Sequence, residues 1–299
     1  MYMSASSSGR LTGRVALVTG AGRGIGAAVA RAFAAEGASV VVSDAGVAVD
    51  GSGTDAGPAA TVVEEIERAG GIALSDATNV TDYDGCATMI ERTVSTYGGL
   101  DILVNAAGIL RDRMIFNLNE DDWDVVIDVH LKGTYNTTRH AASYWRAHKD
   151  EGDYRLVNFT SGSGLFGAPT QPNYAAAKMG IVGLTLSCAN SLSRYGVRCN
   201  AVAPVAGTRM TMSQRPEVYE ADIMSPENVA PAVVYLASSE SGWLNGRIIW
   251  SGGGRIGLVS NPAIEREVVR NGVWSNEDVF AEFENTFRPA VENRSPFGG

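Results

Sequence analysis

The sequence predicts an α/β fold: a doubly wound parallel sheet of about seven strands, covered by helices on both faces. Three observations carry that expectation. Short apolar, β-branched runs alternate with longer helical patterns over most of the chain. A glycine-rich turn follows the first run and opens the first helix. The chain has 299 residues, 45% hydrophobic and 19% charged, which suits a sizeable core and excludes a disordered chain or a coiled coil.

Taken in order, the apolar runs place strands at Val15–Thr19, Ser39–Ser43, Ile72–Leu74, Ile102–Val104, Arg155–Thr160, Arg198–Val202 and Arg247–Trp250. Helices are expected between them, near 25–36, 59–69, 82–97, 120–148, 173–194 and 226–238. Parallel neighbours need crossovers of that length. Ligands of such sheets bind beyond the carboxyl ends of the strands, so functional residues are expected just after each strand. Two stretches depart from the alternation. Residues 45–60 make a Gly/Ala/Asp-rich loop, longer than a usual βα connection. The tail after Arg255 has two helix-like pieces, near 262–271 and 276–287, with Asn276 reading as an N-cap. The expected organisation is a flexible, polar N-terminus (1–10), a main domain (11–255) and a C-terminal helical extension (256–299) that packs on the same domain or on a neighbouring subunit.

Lys and Arg number 24 against 33 Asp and Glu, a net charge of −9, which argues against a nucleic-acid partner. No run of 18 apolar residues exists to span a membrane, and the Ser-rich start lacks the apolar core of a signal peptide. Cys86, Cys188 and Cys199 are odd in number and form no CxxC pair, which fits reduced thiols in a cytoplasmic protein. The three histidines show no HExxH spacing, so no metal site is expected.

The first strand runs into Gly20-Ala21-Gly22-Arg23-Gly24-Ile25-Gly26, where a helix begins. Glycines allow a tight turn and a close backbone approach to a pyrophosphate, while the helix points free N–H groups at the anion. No Gly-Lys-Ser/Thr follows, so this is not a Walker loop. The strand–turn–helix context marks a Rossmann-type dinucleotide site. The second strand ends at Asp44, roughly 20 residues on, where a carboxylate accepts hydrogen bonds from the adenine ribose. That carboxylate repels a 2′-phosphate, which favours NAD over NADP; Arg23, within reach of a 2′-phosphate, argues the other way.

Tyr174 and Lys178 stand four residues apart on an expected helix and share one face. A lysine cation beside a tyrosine favours the phenolate, which makes Tyr174 a general acid/base and Lys178 the group expected to lower its pKa. Ser161 lies just past the fifth strand; Ser163 is its rival. A serine-hydrolase reading fails, because Phe159 replaces the first glycine of a nucleophile elbow around Ser161.

The glycine loop, Asn105-Ala106-Ala107-Gly108 after the fourth strand, and Tyr174-x-x-x-Lys178 together resemble the short-chain dehydrogenase/reductase family over about residues 11–255. Ser161, 13 residues before Tyr174, matches that family's Ser-Tyr-Lys spacing, whereas Ser163 does not. The resemblance implies that Ser161 binds the substrate oxygen and that Lys178 also holds the nicotinamide ribose. It places Asn79, Val80, Asn105, Ala106, Ala107, Gly108, Pro204, Val205 and Thr208 on the cofactor. His130 stands where many members have Asn, which implies either a proton-relay role or a satisfied core histidine. The stretches 107–113, 122–124, 129–133 and 203–211 are similar to a narrower branch, the (3R)-hydroxyacyl-CoA dehydrogenase unit of peroxisomal multifunctional enzyme type 2. The implied substrate is a (3R)-3-hydroxyacyl-CoA, oxidised to the 3-oxoacyl-CoA. Arg111, Arg113 and Arg209 are candidates for CoA phosphates, and Met210 and Met212 for an apolar wall. The competing readings are a hydroxysteroid or other lipid alcohol dehydrogenase and, from another class, a dinucleotide-binding sensor without turnover. A homodimer or homotetramer is implied by the family.

Overall fold

The computed structural model describes residues 9–150, 152–207 and 222–292. Its strands are β1 (Val15–Thr19), β2 (Ser39–Ser43), β3 (Ile72–Asp76), β4 (Ile102–Asn105), β5 (Tyr154–Phe159), β6 (Val197–Val205), β7 (Ile248–Gly252) and β8 (Arg255–Val259). They form one sheet in the order β3-β2-β1-β4-β5-β6-β7-β8. The first seven run parallel, each pair joined in register. Strand order reverses between β1 and β4, which opens a crevice beyond their carboxyl ends.

Side chains alternate between the two faces along each strand. Ala16 and Val18 of β1 join one core with helices α1 (Gly24–Ala35) and α2 (Gly57–Arg68), together with Ala230, Val233 and Leu236 of a later helix. Leu17, between them, joins the opposite core with α3 (Tyr83–Tyr97) and the side chains of Ala141, Trp145 and Cys188. α1 can lie close to the sheet because it is alanine-rich and buries Ala27, Ala28, Ala30 and Ala34.

The long helix expected over 120–148 is interrupted. α4 (Glu120–Ile127) passes into a π-helical turn, Asp128–Lys132, before α5 (Gly133–Ala147). Such turns cluster at functional sites, and this one carries His130 inward. A short helix, α6 (Gly162–Phe166), was not expected; it is capped by the Ser161 hydroxyl, which accepts from the Ser163 N–H. α7 (Pro172–Leu192) and α8 (Ala230–Ala237) complete the cover.

The sheet has eight strands, not seven. β8 pairs antiparallel with β7 after the chain turns back through Gly252–Gly254. Its residues are largely exposed at the edge, so it lacks the continuous apolar run by which buried strands are recognised. The chain forms two compact units, one ending at Ser260 and one starting at Asn261. In the second, residues 262–271 carry no helix, whereas α9 (Asn276–Glu282), a π-turn and α10 (Arg288–Glu292) follow. The N-cap of α9 is Ser275, not Asn276, because Ser275 makes a reciprocal capping box with Asp278.

Under the crevice lies a buried polar network. Asn105 and Asn158 are register partners on β4 and β5. The Asn105 amide donates to Asn158 Oδ1 (2.9 Å) and accepts from the Thr137 hydroxyl of α5 (2.7 Å). The Asn158 amide donates to the Thr185 hydroxyl of α7 at 3.0 Å. Asn158→Leu would strand both partners in a dry interior. We expect a loss of about 2–4 kcal/mol, measurable by urea unfolding; a loss under ~1 kcal/mol would remove the network's structural role.

Candidate active site

A cavity of about 860 Å³ opens at the carboxyl ends of the strands. The glycine loop forms one wall. Gly20 has φ +64° and its Cα faces Ala107, so a Cβ there would stand 2.6 Å from the Ala107 Cα. A Cβ on Gly26 would meet the Gly20 carbonyl oxygen at 2.2 Å, so only glycine lets α1 start this near the turn. The N-cap of α1, Arg23, makes no side-chain cap, and no acidic residue occupies the first turn. Gly24, Ile25 and Gly26 line the cavity. Uncapped helix N–H groups with no acidic residue in their own first turn suit a pyrophosphate.

Asp44 lines the cavity beyond β2. Its carboxylate accepts from the Gly22 N–H and from the Gly46 N–H, each at 2.7 Å. Asn79 and Val80 form the next stretch of wall with Thr78 and Thr81. The Asn79 side-chain oxygen already accepts from the Thr81 N–H at 3.0 Å, so its adenine-facing role falls to its remaining lone pair and its amide. Ala106, Ala107 and Gly108 line the cavity after β4, as do Pro204 and Val205 after β6. Gly22 sits one step back, and Asn105 belongs to the network below rather than to the wall.

On the far side stand Ser161 and Tyr174. The Ser161 hydroxyl is near enough to the Tyr174 phenol to favour its ionised form. Ser163 instead donates to Gln171 Oε1 (2.7 Å), and Gln171 Nε2 donates to the Asp112 carboxylate (3.0 Å). Ser163 is thus engaged elsewhere, and Ser161 is the serine that faces Tyr174. Asn173, fully buried, fixes the start of α7: its amide donates to the carbonyls of Arg111 (3.1 Å) and Asp122 (2.9 Å), and its oxygen accepts the Tyr174 N–H (2.8 Å). Nothing in the sequence flags Gln171 or Asn173, since the partners of their amide N–H groups, Asp112, Arg111 and Asp122, lie 51 or more residues away.

Lys178 is buried one turn beyond, its Nζ donating to the Phe159 carbonyl at 2.8 Å and lying 5.5 Å from the Tyr174 ring centre. Burial governs both groups. It pushes the Tyr174 phenol up to about 12, opposed by the Ser161 hydrogen bond and aided by the Asp112 charge. It pulls Lys178 down to about 7. Burial thus outweighs the expected pull of Lys178 on the tyrosine: an amine that titrates near neutrality carries only part of a charge there.

His130 lies under the Gly108 turn. Its Nε2 is 2.7 Å from the Ile109 carbonyl oxygen and 3.1 Å from the Ile109 nitrogen. The two contacts ask opposite roles of Nε2, donor to the carbonyl oxygen and acceptor from the N–H, so the tautomer selects between them. A Cβ on Gly108 would stand 2.4 Å from His130 Cε1, so the turn needs glycine to accept this ring. The His130 ring meets Tyr174 edge-on at 5.0 Å between centres. Burial, then the nearby Lys178, hold it neutral well below the usual histidine range.

Arg111 and Arg113 do not line the cavity. Both approach the buried carboxylate of Asp122, at 3.5 and 3.9 Å. The wall beside α4 carries Asp121, Asp124 and Asp128. Trp250 and the loop residues Val47, Ala48 and Val49 also line the cavity. Thr208, Arg209, Met210 and Met212 lie outside the described residues.

A doubly wound sheet with a dinucleotide-fitting crevice, and a serine and a tyrosine together on its wall beside a buried lysine, defines a class of oxidoreductases. A family model described as short chain dehydrogenase matches residues 14–218. The chain belongs to the short-chain dehydrogenase family, whose members use NAD(P), and it is an oxidoreductase acting on CH–OH groups. It is 43% identical to hydroxyacyl-CoA dehydrogenase ChsB1 of Mycobacterium tuberculosis over 93% of this chain and 89% of that one. It is 41% identical to peroxisomal multifunctional enzyme type 2 of Drosophila melanogaster over 91% of this chain, but spans only 46% of that longer protein. A solved short chain dehydrogenase from Mycobacterium avium superposes with TM-score 0.84 and 46% identity, covering 96% of this chain and 98% of that one. Among the described residues no helix is long and apolar enough to cross a membrane.

The lysine carries a stability signature. Its folded pKa lies below its unfolded value of 10.5, so the folded chain binds fewer protons between about 7 and 10.5. Stability from this group is lost as pH falls toward 7 and regained as pH rises. We expect the unfolding free energy of the wild type, minus that of Lys178→Met, to increase from pH 7 to pH 9.5. A flat difference would contradict the buried, half-titrated lysine.

Proposed function

We propose that the chain is an NAD-dependent dehydrogenase that interconverts a (3R)-3-hydroxyacyl-CoA and its 3-oxoacyl-CoA. The observation that carries the dehydrogenase chemistry is the placement of Ser161 and Tyr174 together at the wall of the cavity, with the buried Lys178 behind the tyrosine. The hydroxyacyl-CoA substrate is supported by the 43% identity to hydroxyacyl-CoA dehydrogenase ChsB1 of Mycobacterium tuberculosis. NAD is supported by the Asp44 carboxylate on the cavity wall.

The glycine loop, Asp44, Asn79–Val80, Ala106–Gly108 and Pro204–Val205 would hold the dinucleotide, and Lys178 its nicotinamide ribose. When bound, the nicotinamide supplies the hydride acceptor. The chain's own residues handle the oxygen and the proton. Ser161 holds the substrate oxygen against Tyr174. In oxidation Tyr174, as phenolate, takes the hydroxyl proton; in reduction the neutral phenol gives it back. His130 keeps the Ile109 backbone and the Tyr174 ring in place, and its Nδ1, buried with no hydrogen-bond partner among the described residues, is the ring nitrogen left for a proton relay.

A second reading is favoured by charge. Arg111 and Arg113 turn to Asp122, while Asp121, Asp124 and Asp128 line the wall, an unwelcoming surface for CoA phosphates. An uncharged lipid alcohol, such as a hydroxysteroid, suits that wall better. NADH formation on a medium-chain (3R)-3-hydroxyacyl-CoA, its (3S) isomer and a hydroxysteroid panel separates the two. Turnover of steroids alone would move the substrate to the second reading. Cytoplasmic location and a homodimer or homotetramer complete the proposal; Trp123 of α4 and Tyr135 of α5 are exposed enough to meet a second copy.

Tyr174→Phe should lower kcat by roughly 10²–10⁴-fold while leaving NADH affinity little changed. Retained turnover would sink the acid/base role. With the phenol raised to about 12, its basic form grows as pH rises. Oxidation kcat/KM should therefore climb from pH 7 to pH 10 while reduction declines, which initial rates in both directions would show.

A further inference from the structure

Four segments meet at one corner of the cavity: the glycine loop at Gly22–Arg23, the end of β2 at Asp44, the long loop that follows it, and the start of α2. The contact is close. A Cβ on Gly22 would lie 2.8 Å from both Asp44 Oδ2 and Pro58 Cβ. The loop is closed at its neck, because the Asp55 N–H donates to the Ala45 carbonyl at 3.1 Å. Residues 46–54 thus form an excursion that returns to its starting point. Its returning end delivers Asp55 to this corner. The Asp55 carboxylate is held by the Gly57 N–H through Oδ1 (2.9 Å), and its Oδ2 lies 3.7 Å from Arg23 Nη2.

Arg23 lines the cavity, and its side chain is about one-third exposed, that of Asp55 more so. An ion pair this exposed adds little to stability. Its effect is on charge. The corner holds one guanidinium and two carboxylates, with Asp55 taking up the cation and Asp44 left as surplus negative charge. A 2′-phosphate adds up to about two negative charges and would need that guanidinium for charge-assisted bonds.

We propose that Asp55 is a specificity-determining residue: by engaging Arg23 it keeps the guanidinium from a 2′-phosphate, and so sets the preference for NAD that Asp44 alone would leave contested. The inference rests on the NAD reading above and assigns its selectivity to a residue of the inserted loop. Asp44 repels the phosphate; Asp55 removes the group that would reward it.

The test is direct binding of NADH and NADPH, followed by cofactor fluorescence, which needs no substrate. Wild type, Asp55→Asn and the double variant Arg23→Ala/Asp55→Asn are compared at low and high salt. Asparagine keeps an acceptor for the Gly57 N–H; Asp55→Ser serves as a second variant that also keeps one. We expect wild type to favour NADH. Asp55→Asn should raise NADPH affinity relative to NADH by about tenfold, as a freed charge-assisted bond would. The gain should vanish without Arg23 and shrink with salt. A wild-type preference for NADPH would sink the NAD reading and this inference with it. A wild-type preference for NADH, with the ratio in folded Asp55→Asn and Asp55→Ser unmoved or raised equally without Arg23, would overturn this inference alone.

Discussion

Asn105 and Asn158 pair side by side where β4 and β5 stop being sheet and become site. One strand leads into the cofactor wall at 106–108, the other into Ser161. Because each amide also reaches a hydroxyl on α5 or α7, the pair fixes two strands and two helices to one another in a single buried layer. Four buried polar groups satisfy one another there, and any shift of one would leave the others unpaired in low dielectric. The alignment of the Gly108 turn with the Tyr174 helix follows from this constraint. His130 then spans the gap, bonded to Ile109 and edge-on to Tyr174.

Burial also sets the chemistry. The same enclosure that positions Tyr174 and Lys178 moves their pKa values toward each other's neutral forms, the phenol upward and the amine downward. Near neutrality the phenol is then uncharged and the amine carries only part of a charge, which suits proton donation from the phenol in the reductive direction. A neutral His130 beside them adds no further charge. Around this weakly charged centre the periphery is acidic: Asp44 at one corner, Asp121, Asp124 and Asp128 along α4, and Asp112 behind Gln171. The arginines that could offset them are drawn into pairs, Arg23 with Asp55 and Arg111 and Arg113 with Asp122. A chain with an excess of carboxylates thus leaves its cavity electronegative, which bears on both cofactor choice and substrate class.

What the sequence by itself determined was local. The glycine turn, the β-branched runs and the four-residue step from Tyr174 to Lys178 encode backbone geometry and periodicity within a few residues, and these are legible without a partner. They placed the first seven strands, the dinucleotide loop, and Tyr174 and Lys178 on one helix. What only the tertiary structure decided was pairing between distant segments. It engaged Ser163 with Gln171, moved Asn105 from the cavity wall to the network beneath, and turned Arg111 and Arg113 toward Asp122. It let burial outweigh the expected pull of Lys178 on Tyr174, because desolvation depends on what the whole fold encloses. The edge strand β8 belongs to the same class: a short, exposed segment has no pattern of its own, and becomes a strand only because β7 offers it an open row of hydrogen-bonding groups.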